Sequence, residues 1–273
     1  MSRTVGGDVL PDTTEPAPAA ARDLMVSDQV AANGTAEAQQ PLPPGAANHQ
    51  VVVGDIPVEP SCFRSRAGLL AELDRDSAQA SVIHAMTGLH GLGASQLAAT
   101  YARAKLAAGW RLVAWVNGAD TGSLRAGLAA VADATGLADG DSGPGVIDPG
   151  AAVRHWLETD GDECLLVFDD VSDPEAVRPF VPAVGTARIL ITSSRPSAAT
   201  LGSVVPVDVF SADEASAFLA ERTGQDDEAG AAAVAAALGH LPLALALAGS
   251  VIAGQQSGGY AWYLDRLEAF RPA

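Results

Sequence analysis

Two groups of residues in this chain are spaced for phosphate chemistry. The first is a glycine-rich stretch with a hydroxyl at its end, Met86-Thr87-Gly88-Leu89-His90-Gly91-Leu92-Gly93-Ala94-Ser95-Gln96-Leu97-Ala98. It follows the P-loop pattern G-x-x-x-x-G-K-[ST] at every defining position but one: Gly88, Gly93 and Ser95 are in place, and Ala94 stands where the lysine belongs. In such a loop the backbone N–H groups, here those of Gly91, Leu92, Gly93, Ala94, Ser95 and Gln96, cradle phosphates. The hydroxyl, here Ser95, holds Mg2+, and the lysine reaches the β and γ phosphates. The missing device is therefore the positive charge that neutralises the γ-phosphate. A glycine-rich turn from strand to helix is also ordinary structural punctuation, so the motif alone leaves both readings open. A dinucleotide fingerprint fits less well, because its third glycine falls on Gln96.

The second group is Leu165-Leu166-Val167-Phe168-Asp169-Asp170, an apolar run ending in paired carboxylates. This is a Walker B pattern. It delivers Asp169 to the edge of a sheet to hold magnesium, and Asp170 as a water-activating, catalytic carboxylate. An Asp-Asp pair also starts surface turns; the two groups together make a nucleotide site the better reading. A third run, Ile189-Leu190-Ile191-Thr192-Ser193-Ser194-Arg195, ends in polar residues again. Arg195 would reach a γ-phosphate and report its presence, or stand as a solvated arginine before Pro196.

The elements that must position these residues alternate. Strands are predicted over 81–86, 112–116, 164–169, 188–192 and 204–209, with helices over 96–108, 124–135, 149–158 and 174–180. This alternation predicts a doubly wound α/β fold with a five-stranded parallel sheet over residues 51–210. From Ser211 the pattern is purely helical. Ser211-x-x-Glu214 forms a capping box, and a small helical subdomain is predicted over 211–273. Residues 1–50 are rich in Ala, Pro and Gly and nearly free of aromatics, the composition of a disordered tail.

With 16 basic and 33 acidic residues the net charge is −17, which argues against nucleic-acid binding and against an anionic membrane surface. No leader pattern opens the chain. The uncharged run Ala231–Gly254 is mostly alanine and carries His240 and Pro242 at its middle, so it reads as two short buried helices and not as a span. Cys62 and Cys164 lie at no motif spacing and read as reduced thiols of a cytoplasmic protein.

These runs, with the lead-in Ile56-Pro57-x-x-Pro60-x-x-Phe63-x-x-Arg66 and the segment Leu238-Gly239-His240-Leu241-Pro242-Leu243, resemble in order the NB-ARC family of STAND signal-transduction ATPases. The wording Gly-Ala-Ser-Gln-Leu-Ala also resembles actinobacterial members that carry tetratricopeptide repeats. The resemblance spans about Ile56 to Phe270. It implies an ADP- or ATP-binding regulatory switch with Mg2+, in which Pro242 packs on adenine and Arg66 borders the base and ribose. Self-association and protein partners stay open, since partners of this family bind mainly through appended domains. Three departures stand out: Ser65 replaces the glycine before Arg66, Ala94 replaces the lysine, and the winged-helix portion with its sensor histidine is absent from the sequence.

Loss of a charge-assisted hydrogen bond costs about ten- to a hundredfold in affinity, and hydrolysis should fall further. Lys105, the sole lysine, lies ten residues past Ser95. On a helix that is about 15 Å, too far for one side chain. His90 is a weak replacement as a neutral imidazole, which leaves Arg66 and Arg195 as the better compensators. Weak or absent hydrolysis follows, with a nucleotide-free pseudo-NTPase acting as an interaction scaffold as the alternative.

Overall fold

Short apolar runs separated by helices become six parallel strands. They are β1 (Val51–Val53), β2 (Ala80–Ala85), β3 (Leu112–Asn117), β4 (Cys164–Asp169), β5 (Arg188–Ser193) and β6 (Ser203–Val207). The computed structural model describes residues 50–62, 64, 66–76, 78–85, 91–137, 148–255 and 258–270. The tail predicted over residues 1–50 lies almost wholly outside the described residues, as do Phe63, Ser65, Gly88 and His90. The sheet runs β1-β3-β4-β5-β2-β6, and every adjacent pair is parallel.

The expected five strands are therefore corrected to six. The additional strand, β1, is three valines long, too short to show a period. What makes it a strand is its neighbour: Val51 to Val53 pair with Leu112 to Ala114. The Gln50 amide fastens its start, donating to the carbonyls of Leu106 at 2.8 Å and Trp110 at 3.0 Å. The order also separates the glycine-bearing strand β2 from the acid-bearing strand β4, with β5 between them.

Helices cover both faces of the sheet, which is why the central strands are apolar without alternation. On one face, Leu124, Leu128 and Val131 of α3 (Thr121–Ala134) and Val153 and Leu157 of α4 (Pro149–Asp160) meet Leu166 and Phe168. On the other, Leu73 of α1 (Ala67–Arg75) and Leu97, Ala98 and Tyr101 of α2 (Ala94–Ala107) meet Ile83, Leu165, Val167 and Leu190. A short helix α5 (Pro174–Val177) follows β4.

The remaining helices, α6 (Ala212–Thr223), α7 (Glu228–Ala237), α8 (Pro242–Ala253) and α9 (Tyr260–Ala269), enclose a third core around Phe218, Leu219, Val234, Leu245, Ile252 and Tyr260. The predicted capping box is present at α6: Glu214 N–H donates to Ser211 Oγ at 3.1 Å, and Ser211 N–H donates to Glu214 Oε2 at 2.8 Å. The uncharged run Ala231–Gly254 is cut in two by Gly239 and His240, both in the left-handed region. Among the described residues no helix is long and apolar enough to cross a membrane.

One buried arginine fastens α1 to the edge of the sheet where the strands begin. Arg188 opens β5 and donates to the carbonyls of Leu73 (2.6 Å), Asp76 (2.8 Å) and Ala78, and to Ser81 Oγ (2.9 Å). Asp76 accepts from Ser81 Oγ at 2.7 Å and from Ala78 N–H at 3.0 Å. Burial raises the Asp76 pKa, but these hydrogen bonds and Arg188 outweigh it and hold the carboxyl below its ordinary range.

Candidate functional site

At the opposite edge, where the strands end, β2 runs into the glycine loop and the loop into α2. Gly93 is the N-cap of α2 at φ 92°, a conformation that side chains resist, and no side chain caps this helix. Among the described residues the first N–H groups of α2 therefore have no capping side chain, at the positive end of a 14-residue helix. Ala94 is the first residue of that helix, and its methyl is all that stands at the lysine position.

Two adjoining cavities meet over this turn and share Gly91, Leu92, Gly93 and Gln96. The larger, about 470 Å3, is bounded by Phe210, Phe218, Pro242 and Leu243 and by the arginines 64, 66 and 222. The smaller, about 230 Å3, is bounded by Ala94, Ser95, Asp170, Thr192 and Ser194. Together they are an apolar chamber adjoining a smaller one whose lining adds hydroxyls and the Asp170 carboxylate. Gln96 Oε1 and Arg66 Nη2 are buried without a hydrogen-bond partner among the described residues, although their residues line the larger cavity. Buried polar atoms normally find partners, so both are candidates to receive one from a ligand.

The acidic pair is organised by a residue to which the motif pattern gives no role. Thr192, near the end of β5, donates from Oγ1 to Asp169 Oδ1 at 2.6 Å and accepts from Asp170 N–H at 2.8 Å. Asp170 sits at φ 56°. This turn aims the Asp170 side chain into the smaller cavity, whereas Asp169 is turned to Thr192 and lines neither cavity. Ser95, Asp169 and Asp170 are hard oxygen donors near a phosphate-sized space, a set that suits Mg2+ with retained water. The signal for Thr192 was its place as the polar end of an apolar run. What hid its role was that the β4–β5 pairing is not written locally.

Arg66 is the N-cap of α1 at φ 42°, half-buried, with its guanidinium 4.9 Å from the Phe210 ring centroid. Burial lowers its pKa, and Glu214 and Asp208 oppose that. Pro242 opens α8 and borders the larger cavity. The next residue reaches the loop itself: Leu243 N–H donates to Gly91 O at 3.2 Å. Gly91 stands at φ +88°, and a methyl there would meet Leu243 Cβ at 2.6 Å. Arg195 is exposed and lines neither cavity, because the chain turns away into a 3₁₀ turn at Pro196. Lys105 is held at the far end of α2 by Asp74 at 2.6 Å.

Arg64 and Arg222 were not anticipated as lining residues, and no local pattern announces them. Arg222, at the end of α6, donates to Ser61 Oγ (2.8 Å), Ser250 Oγ (2.7 Å) and Ala246 O (3.2 Å). Arg64 pairs with Glu221 at 2.9 Å.

No protein-family model matches the chain. It is 31% identical over 209 residues to the regulatory protein AfsR of Streptomyces griseus, which covers 71% of this chain and 21% of that protein. The chain thus spans about a fifth of that relative's length. Among solved structures it is similar to a Walker-type ATPase of Pyrococcus abyssi, with a TM-score of 0.52 at 13% identity, covering 75% of this chain and 71% of that one. It is also similar to the ORC2 protein of Aeropyrum pernix in its ADP form, with a TM-score of 0.50 at 16% identity, covering 78% and 71%. At these identities the likeness is one of fold, and the fold is that of the P-loop ATPases: a parallel α/β sheet followed by a helical portion.

Proposed function

We propose that the chain is an adenine-nucleotide-binding regulatory module of a STAND-type signalling protein, with weak or no hydrolysis. The observation that carries this reading is the pair of adjoining cavities over the start of α2, one apolar and nucleoside-sized, one smaller, phosphate-sized and bordered by hydroxyls and a carboxylate. The base and ribose would occupy the larger cavity between Phe210, Pro242 and Arg66, and the phosphates would lie over the N–H groups of residues 93–96. Bound Mg2+ would supply charge neutralisation at the phosphates; Ser95 and Asp170, which border the smaller cavity, would hold it, with Asp169, turned to Thr192, acting through water. Because Leu243 touches Gly91 directly, occupancy of the cavities would set how the helices after Ser211 sit on the loop, which is the property a switch requires. Likeness to a regulatory protein of Streptomyces supports the signalling context.

Calorimetric titration with ADP and ATP, with and without Mg2+, tests the reading. Saturable heat and a raised melting temperature are expected; no heat and no thermal shift at millimolar nucleotide would remove it. Phosphate release should be barely above background and should rise in Ala94→Lys. Ala94 also favours a second reading, a pseudo-NTPase that holds its shape without nucleotide and serves as an interaction scaffold. Adenine nucleotide released on acid denaturation of purified protein counts against that scaffold reading.

A further inference from the structure

Resting on the nucleotide reading above, we propose that this site selects the nucleoside diphosphate against the triphosphate. The formal charges around the two cavities are segregated. Three guanidiniums, those of Arg64, Arg66 and Arg222, border the larger cavity. The described lining of the smaller cavity contains one ionisable side chain, the carboxylate of Asp170. Residues 86–90 of the loop include neither lysine nor arginine. The chain's one lysine is spent on Asp74 at the other end of α2. Arg195, the arginine nearest in sequence to this edge, is exposed and lines neither space.

The terminal phosphate of a triphosphate extends past the helix start toward the ends of β4 and β5. In this chain that direction leads to Thr192, Ser193 and Asp170. Its additional negative charge would meet a carboxylate and hydroxyls where a lysine would ordinarily meet it. Asp170 cannot retreat by a backbone change, because its N–H is held by Thr192 and the following N–H of Val171 donates to Thr192 O at 2.9 Å. The α and β phosphates lose less, since they rest on amides at the helix N-terminus. The shared part of the ligand loses only the lysine contact to its β phosphate, and the larger penalty falls on the group that distinguishes the two nucleotides.

The size of the effect follows from repulsion between the terminal phosphate and the exposed Asp170 carboxylate with no cation between them, about fivefold between ADP and ATP without divalent metal. Mg2+ should narrow the gap by supplying the absent charge. Titrations of the full chain with AMP, ADP and ATP, with EDTA and with Mg2+, read this directly. ADP should bind about fivefold tighter than ATP in EDTA. Asp170→Asn should shrink the difference, Ala94→Lys should cancel or reverse it, and Arg66→Ala should weaken both nucleotides alike. Thermal unfolding of each variant separates misfolding from altered selectivity. If no nucleotide binds under any condition, the nucleotide reading itself fails. If nucleotides bind but ATP equals or exceeds ADP in EDTA, the selectivity is overturned while that reading stands. ATP binding that depends on Arg195, lost in Arg195→Ala, overturns it too, by showing that the exposed arginine supplies the charge. A gap unchanged in both Asp170→Asn and Ala94→Lys likewise overturns it.

Discussion

Two arginines at opposite edges of the sheet have nearly opposite surroundings. Arg188, where the strands begin, donates to three backbone carbonyls and a serine hydroxyl and stands 3.9 Å from Asp76. Arg66, where they end, has a buried Nη2 with no partner among the described residues; the Phe210 ring lies against its guanidinium, and Glu214 and Asp208 act on it only through their charge. Each guanidinium keeps one buried nitrogen without a partner among the described residues, Nε in Arg188 and Nη2 in Arg66, but the two terminal nitrogens of Arg188 are given to the fold. A buried guanidinium that borders a cavity and donates to none of the described residues is a cost that the fold carries for some other purpose. The first edge is therefore tied together by the chain's own acceptors, whereas the second has donors and an apolar chamber left to satisfy.

The comparison breaks first at Arg188. Arg188→Met should destabilise the chain by about 3 kcal/mol, because it strands the carbonyls of Leu73 and Asp76 and removes the counter-charge of Asp76. Chemical denaturation measures this, and a loss below about 0.5 kcal/mol, the range of ordinary surface substitutions, would make the two arginines equivalent. Arg66→Met should show the reverse pattern, with stability nearly unchanged and nucleotide affinity lowered about tenfold. The second edge can also be stressed at its contact with α8. Gly91→Ala forces a side chain onto φ +88° and against Leu243. The expected cost is about 1–3 kcal/mol. In a Leu243→Gly background, which removes the clashing Cβ, the steric part of that cost should recede, and a double-mutant cycle would show it as coupling between loop and helix. Additive losses would mean that the loop and α8 do not sense each other.

The same asymmetry explains what was legible in the sequence. Features written within one element could be read directly. The continuous apolar run from Cys164 to Phe168 announced a strand buried on both faces, Ser211 and Glu214 announced a helix start, and Gly239 with His240 announced the break before Pro242. Features that depend on pairing between elements could not. The three valines of β1 become a strand only against β3, and Thr192 becomes a clamp on the acidic pair only because β5 lies beside β4. Arg222 reaches the larger cavity from a helix more than a hundred residues beyond the loop, and nothing near it in sequence announces that. The charge missing at Ala94 was plain from the motif. Where positive charge gathers instead was not, because Arg64, Arg66 and Arg222 converge only once the helices after Ser211 fold back.

The mildest probe of the contrast is acid. The Asp76 carboxyl is held below its ordinary value of 3.8 in the folded chain, since its hydrogen bonds and Arg188 outweigh its burial. A group depressed on folding stabilises at pH above its unfolded pKa and ceases to do so as pH falls through its folded pKa. Its contribution is therefore fully present at neutral pH, begins to fade near pH 3.8, and is lost once the folded carboxyl protonates. Asp76→Asn should lower stability modestly at pH 7 and flatten the loss below pH 4, while leaving nucleotide affinity at pH 7 unchanged. Denaturation midpoints followed from pH 7 to pH 3 would show it. A variant that weakened nucleotide binding instead would mean that the two edges are coupled through the sheet.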